Sequence, residues 1–193
     1  MSIWFGAHVA DDSELRLCGE VAGKRVVELG IAPVPNSIAF AAAGAKAIAV
    51  DPDANRIAGL RQSAERADVT VQCHQSDLAD LGFATSASVD LVIASHSLGG
   101  VDDLPRVLRQ VHRVLKPGCA FVVALQHPVA AMFGGDHVAQ YAYGAISPTF
   151  TDLYMSFERA DFHFDQMIEL HDRRVSDPLT PTVLLMRARK LGV

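Results

Sequence analysis

The chain has 193 residues, 50% of them hydrophobic, which favours one domain with a sizeable core. Its formal net charge of −5 argues against nucleic acid bound through a basic surface. The chain contains no apolar run of about 18 residues, so we predict no membrane-spanning helix. The N-terminus lacks the basic and apolar regions of a signal peptide, and the three cysteines are scattered, so we predict a cytoplasmic protein with no membrane partner.

A strand, a loop, a helix and a second strand open the main pattern. Residues 24–29 form a short apolar run with β-branched side chains, which is typical of a buried parallel strand, and Gly30 ends it. Residues 35–43 predict a compact helix that begins near a proline and stops at Gly44. Residues 45–50 predict the second strand.

Asp51 directly follows this second strand, about 20 residues after Gly30. A helix N-terminus that faces an acid on the neighbouring strand end is how α/β proteins hold a nucleoside, with the acid accepting from the ribose hydroxyls. The pattern therefore predicts a cofactor that contains a nucleoside. The alternative is that Asp51 caps a helix and binds no ligand.

Strands and helices alternate along the rest of the chain. Predicted helices cover residues 12–18, 53–65, 104–115 and 151–160, and predicted strands cover 70–74, 89–94, 120–125, 162–170 and 182–190. The alternation predicts an α/β fold with a doubly wound, mostly parallel sheet in a single domain that spans residues 1–193. Because no helix separates the last two strands, we expect them to form an antiparallel hairpin at the sheet edge.

An ordered set of motifs resembles a known family. The set comprises VVELG before the first loop, Asp51, SDL at 76–78, VDLVIASHSLGGVDD at 89–103, and a helix that ends RVLKPG before a strand. Together they resemble the class I, Rossmann-like methyltransferases that use S-adenosylmethionine and act on small molecules. The resemblance implies a seven-stranded sheet, S-adenosylmethionine as cofactor, and methyl transfer to a small-molecule acceptor.

The resemblance also implies the residues of the cofactor site at its methionine end. Glu28, Gly30, Ile31 and Ala32 match the first motif, beside the methionine portion. A carboxylate in an apolar strand is costly to bury without a partner, so Glu28 needs one.

At the adenosine end, the resemblance places Asp51 on the ribose hydroxyls and Pro52 beside the adenine. Asp77 and Leu78 match the pair that contacts the adenine, with the carboxylate accepting from its exocyclic amine. The alternative for Asp77 is a structural cap on the turn at residues 78–81.

The resemblance assigns no catalytic residue, and two histidines are candidates. Ser95 and His96 match the floor beneath the methionine and the sulfonium, and His127 precedes Pro128 as in the family's histidine–proline step. Either histidine is also interpretable as structural. The remaining histidines, His137 among them, show no paired metal spacing, so we predict no metal site.

The first loop departs from the family pattern GxGxG. Ala32 and Val34 stand at two of the three glycine positions, and Pro33 and Pro35 each remove an N–H donor. This departure supports an alternative function, a catalytically silent member that binds a ligand or a partner protein. A nicotinamide-dependent oxidoreductase shares the first βαβ unit but not the LKPG turn or the terminal hairpin.

Residues 129–150 form an irregular segment on the predicted substrate side. It carries several aromatic and apolar side chains: Met132, Phe133, Tyr141, Tyr143 and Phe150. We interpret the segment as a lid or substrate wall, with a covering flap or a homodimer contact as alternatives.

Overall fold

A seven-stranded sheet forms the centre of the fold, with strand order β3-β2-β1-β4-β5-β7-β6 in a computed structural model that describes residues 1–134 and 138–192. The strands from β3 to β5 pair in parallel, whereas β7 pairs antiparallel with both β5 and β6. The predicted doubly wound sheet with a terminal antiparallel hairpin is therefore confirmed.

The helices and strands occur in the predicted order. The helices are α1 (Asp12–Leu15), α2 (Asn36–Ala42), α3 (Ala54–Arg66), α4 (Leu104–Val114) and α5 (Phe150–Glu158). The strands are β1 (Arg25–Leu29), β2 (Lys46–Asp51), β3 (Val71–Gln75), β4 (Val89–Ser95), β5 (Leu115–Gln126), β6 (Phe162–Leu170) and β7 (Val183–Lys190). Apart from α1 and the start of β5, the predicted ends differ by about one or two residues, as helix and strand ends commonly do.

Hydrophobic side chains of the central strands alternate between the two faces of the sheet. In β4, Leu91 and Ile93 pack towards the N-terminal segment and α2, whereas Val92 and Ala94 pack towards α4 and α5. Both faces of these strands are buried, which explains why their sequences are almost continuously apolar.

The first helix is shorter than the predicted 12–18. It stops at Leu15 because Arg16 adopts a left-handed conformation with φ of 54°. The buried carboxylate of Asp12 then accepts from the backbone N–H groups of Leu17 and Cys18. A side chain that bonds to nearby backbone competes with continuation of a helix.

β5 begins earlier than predicted and contains the turn residues 116–118. Leu115 pairs with Val89 and Ala120 pairs with Leu91, so four residues of β5 stand opposite Asp90 alone. Lys116 places its ammonium 2.6 Å from the Asp90 carboxylate at this bulge. The predicted strand from residue 120 is the regular part of this longer element.

Within residues 1–134 and 138–192, no helix combines the length and hydrophobicity needed to cross a membrane.

Candidate functional site

Two cavities lie next to each other at the carboxyl edge of the sheet. The first, of about 450 Å³, is lined by the loop after β1, one side of α3 and residues 95–97 after β4. The second, of about 400 Å³, is lined by Pro52, residues 77–79 and residues 100–103 with the start of α4. Open α/β sheets bind ligands at this edge, where the strand order reverses between β1 and β4.

Ser97 lines both cavities and packs against Gly30. Gly30 has φ of +76°, and a Cβ atom built on it would lie 2.2 Å from the Cβ of Ser97. The Ser97 hydroxyl donates to the carbonyl of Leu29 at 2.5 Å. Gly30 is therefore required both by its backbone conformation and by the approach of Ser97, and Ser97 was not among the predicted site residues.

Asp51 connects the loop after β1 to the start of α3. Its side chain is 2% exposed, and its two oxygens accept from the N–H groups of Ile31 and Asp53, both at 2.8 Å. The Arg56 guanidinium lies 3.5 Å from the same carboxylate and lines the first cavity. Asp51 thus has a structural role in the loop, while its contact with a ribose stays a prediction.

Glu28 is fully buried beneath the same loop. Its carboxylate accepts from the backbone N–H groups of Ala32, Asn36 and Ser37, at 3.2, 3.0 and 2.8 Å. Two of these groups belong to the first turn of α2, where a negative charge is favourable. Burial raises the pKa of the Glu28 carboxyl above its usual 4.5, against the opposing effect of these hydrogen bonds. Glu28 therefore has the partners that its burial requires.

The loop itself has few N–H groups to offer a ligand. Those of Ile31 and Ala32 bond to Asp51 and Glu28, and Pro33 and Pro35 have none. The backbone cradle expected of a glycine-rich loop is thus mostly committed to the protein's own carboxylates. Ile31 and Ala32 still line the first cavity through their other atoms.

Asp77 and Leu78 lie together in the wall of the second cavity, with Pro52 across from them. One oxygen of Asp77 accepts from the N–H of Ala79 at 2.8 Å, which is the turn-capping bond of the structural alternative. Within the described residues, the second oxygen of Asp77 makes no hydrogen bond. Capping and ligand binding are therefore compatible at this carboxylate.

Ser95 and His96 contact a segment near the N-terminus that the sequence did not connect with the site. The carbonyl of Trp4 accepts from the Ser95 hydroxyl at 3.1 Å and from the Asn36 amide at 3.0 Å. The Trp4 N–H donates to the same Asn36 side chain at 2.7 Å, and His96 Nε2 lies 2.8 Å from the carbonyl of Phe5. Residues 4 and 5 thereby brace the floor of the first cavity. Nothing in the sequence indicated that Asn36, near the start of the predicted helix, would hold this N-terminal segment.

His127 lies away from both cavities, 2% exposed, at the end of β5. Its Nε2 is 2.9 Å from a Glu169 oxygen, and its Nδ1 accepts from the N–H of Val129 at 3.2 Å. Because Nδ1 accepts, the ring proton belongs on Nε2 and donates to Glu169. Both nitrogens are thus occupied, which favours the structural interpretation of His127.

The segment 129–150 contributes to a third cavity, of about 400 Å³. Ile146 and Ser147 line it together with His96, Gly99 and Gly100 after β4 and with Leu125 and Gln126 of β5. Further along the segment, the Phe150 ring packs edge-on against His127 at 5.4 Å. The segment is therefore a wall of this cavity, and His137, within it, lies outside the described residues.

The described residues include no group of three or more histidine, cysteine or acidic side chains arranged to hold a metal ion. The absence of a metal site itself stays a prediction.

Residues 27–123 match the model of a family described as a methyltransferase domain. The chain is also similar to Arginine-hydroxylase NDUFAF5, mitochondrial, of Mus musculus, with 55% identity over 47 residues. That match covers 24% of this chain and 12% of the relative, so the chain spans only a small part of it.

Two solved structures share the architecture. An S-adenosylmethionine dependent methyltransferase from Mesorhizobium loti has a TM-score of 0.76 and 22% identity, over 91% of this chain and 95% of that one. The Burkholderia thailandensis 1,6-didemethyltoxoflavin-N1-methyltransferase, solved with 1,6-didemethyltoxoflavin and S-adenosylhomocysteine, has a TM-score of 0.65 and 19% identity, over 94% and 75%. At these identities the likeness establishes the fold.

Proposed function

We propose that this chain, which belongs to the methyltransferase domain family, transfers a methyl group from S-adenosylmethionine to a small molecule. The observation that carries the proposal is the pair of adjoining cavities at the switch point of the sheet, with Asp77 in one and the partners of Asp51 in the other. The family and its structural relatives indicate S-adenosylmethionine as the cofactor.

The second cavity fits the adenosine half of this cofactor. Leu78 and Val101 supply apolar surface for a planar base, and Asp77 supplies an acceptor for its amine. Asp51, at the end of β2, is the acid that the family resemblance assigns to the ribose, and its partners Ile31 and Arg56 line the adjoining first cavity.

The first cavity fits the methionine half through side chains more than through the loop. Among the described residues that line it, Arg56 is the one cation, and its side chain is 59% exposed. A guanidinium is a suitable partner for the methionine carboxylate. It would replace the loop N–H groups that Glu28 and Asp51 already occupy.

When bound, S-adenosylmethionine supplies an activated methyl group on a sulfonium. The protein's contribution is to align the acceptor with that group and to exclude water. Ser95 and His96, braced by the backbone of residues 4 and 5, provide a rigid floor for this alignment.

The alternative of a catalytically silent member has its own support in the loop. Two prolines and two occupied N–H groups leave less backbone for the cofactor than a glycine-rich loop would. Under this alternative the same cavities hold another ligand, or the surface binds a partner protein.

Calorimetric titration of the chain with S-adenosylmethionine, S-adenosylhomocysteine and NAD under one condition separates the alternatives. Binding of the first two alone supports the methyltransferase proposal. Binding of NAD alone would indicate an oxidoreductase, and binding of none would favour the silent member.

A further inference from the structure

His96 is shared by the first and the third cavity. On one side it meets the space proposed for the methionine half of the cofactor, and on the other it meets the space bounded by Leu125 and Ile146. A residue that lines both cavities lies where a methyl donor in the first and an acceptor in the third would meet.

The hydrogen bond of the His96 ring defines its tautomer. Its Nε2 lies 2.8 Å from the carbonyl oxygen of Phe5, and a carbonyl can only accept, so Nε2 carries the proton. In the neutral ring, Nδ1 then holds a lone pair. Within the described residues Nδ1 makes no hydrogen bond, whereas both nitrogens of His127 are hydrogen-bonded.

The backbone and the N-terminal segment hold this ring in place. His96 has φ of 60°, a left-handed conformation that is uncommon for a residue with a Cβ atom. The Trp4 ring packs against the imidazole at 5.5 Å between centroids. The hydrogen bond at Nε2 and the contact with the Trp4 ring together fix the orientation of the imidazole, and with it that of Nδ1.

We propose that the third cavity binds the methyl acceptor and that His96 Nδ1 receives the proton that the acceptor loses. This inference rests on the proposed function. The acceptor's oxygen or nitrogen forms the new bond to the methyl carbon, the carbon–sulfur bond breaks, and its electron pair stays on sulfur. The acceptor's proton passes to Nδ1 and from there to water.

The surroundings keep His96 in the form that this role requires. Partial burial lowers the pKa of the imidazole below its usual 6.5, against the smaller opposing effect of the Phe5 carbonyl. The neutral base therefore predominates at pH 7. Its neighbours in the N-terminal segment, Trp4 and Phe5, are uncharged. Arg56 lines the first cavity together with His96 and is the cation of that lining.

The lining of the third cavity indicates the class of acceptor. With His96 neutral, none of its described lining residues carries a charge. Leu125 and Ile146 are apolar, and Gln126 offers an amide. This lining suits a small uncharged molecule with one ionisable O–H or N–H group, such as a phenol.

Phenol is a direct probe of this cavity, because it needs neither cofactor nor turnover. We would record the ¹⁵N spectra of the histidine rings across a pH series, with and without phenol. The expected result is a pKa below 6.5 for His96, a proton on Nε2, and a phenol-induced change confined to Nδ1. The buried ring of His127, with both nitrogens already bonded, is the internal control and should not respond.

Two results would overturn the inference. One is a proton on His96 Nδ1 in the neutral ring, and the other is a correct tautomer that phenol leaves unchanged. Calorimetry of the same sample with S-adenosylhomocysteine tests the proposed function separately. If the protein does not bind S-adenosylhomocysteine but His96 Nδ1 still responds to phenol, the methyltransferase proposal is refuted and the base in the third cavity is not.

Discussion

Gly30→Ala tests the contact on which the geometry of both cavities depends. The added Cβ would stand 2.2 Å from the Ser97 Cβ, far inside van der Waals contact, at a φ of +76°. Overpacking costs about 1–3 kcal/mol, and a left-handed conformation costs an alanine about 1–2 kcal/mol. We expect the free energy of unfolding to fall by roughly 2–5 kcal/mol, the sum of those two ranges.

Only the steric part of this loss involves Ser97, which makes a double-mutant cycle informative. In Gly30→Ala/Ser97→Gly the clash is removed while the backbone cost remains. We expect the double variant to recover about 1–3 kcal/mol relative to the sum of the single variants. The Ser97→Gly variant alone should lose about 0.5–1.5 kcal/mol with its hydrogen bond to the Leu29 carbonyl.

Urea denaturation of the four proteins, monitored by circular dichroism, provides the unfolding free energies. Ser97→Ala is the matched control, because it removes the hydroxyl but keeps the Cβ that causes the clash. Strict additivity of the two substitutions would refute the packing of Ser97 against Gly30.

Four further predictions concern the carboxylates and the loop. Asp51→Ala should weaken adenosine binding at least about tenfold, because hydrogen bonds to a charged acceptor contribute about 1.5–3 kcal/mol each; an unchanged dissociation constant in the folded variant would remove Asp51 from the ligand site. Asp77→Asn should weaken calorimetric binding of adenosine more than that of purine riboside, which lacks the amine, whereas equal losses would indicate a purely capping role. Replacing both Ala32 and Val34 with glycine should increase the affinity for S-adenosylmethionine more than the affinity for adenosine. Tight binding of S-adenosylmethionine by the wild type, with no gain in the variant, would argue against a defective loop. Because the pKa of Glu28 is raised in the folded state, its carboxyl binds a proton more readily there than in the unfolded chain, and the free energy of unfolding of the wild type should fall as pH rises from 4.5 through the folded pKa. Glu28→Gln should reduce the slope of unfolding free energy against pH in a denaturation series. Equal slopes in the two proteins would show that Glu28 is not the cause of the pH dependence.

The sequence alone predicted the order and type of the main elements, because their signals are local. Continuous apolar runs identified the buried strands, and the spacing in residues 104–115 identified α4. The absence of a helix between residues 170 and 182 predicted the antiparallel end of the sheet. The same local signals, read as a set, led to the family that residues 27–123 match.

The ends of two elements depended on side chains that local patterns do not reveal. Asp12 stops α1 by bonding to the backbone beyond it, and Lys116 pairs with Asp90 inside a bulge at the start of β5. In each case a polar group found a partner that propensity and hydrophobic spacing do not specify.

Only the tertiary structure decided how the candidate site is assembled. The predicted strand ends placed Asp51 and Asp77 at the edge of the sheet where ligands bind. That the Asp51 carboxylate is hydrogen-bonded to the loop, and that Ser97 packs against Gly30, became visible only in the folded chain. The two candidate histidines are likewise equivalent in sequence, and the folded chain distinguishes them by their hydrogen bonds. The physical reason is that backbone preferences act between neighbours, whereas a hydrogen bond or a close contact joins residues that only folding brings together.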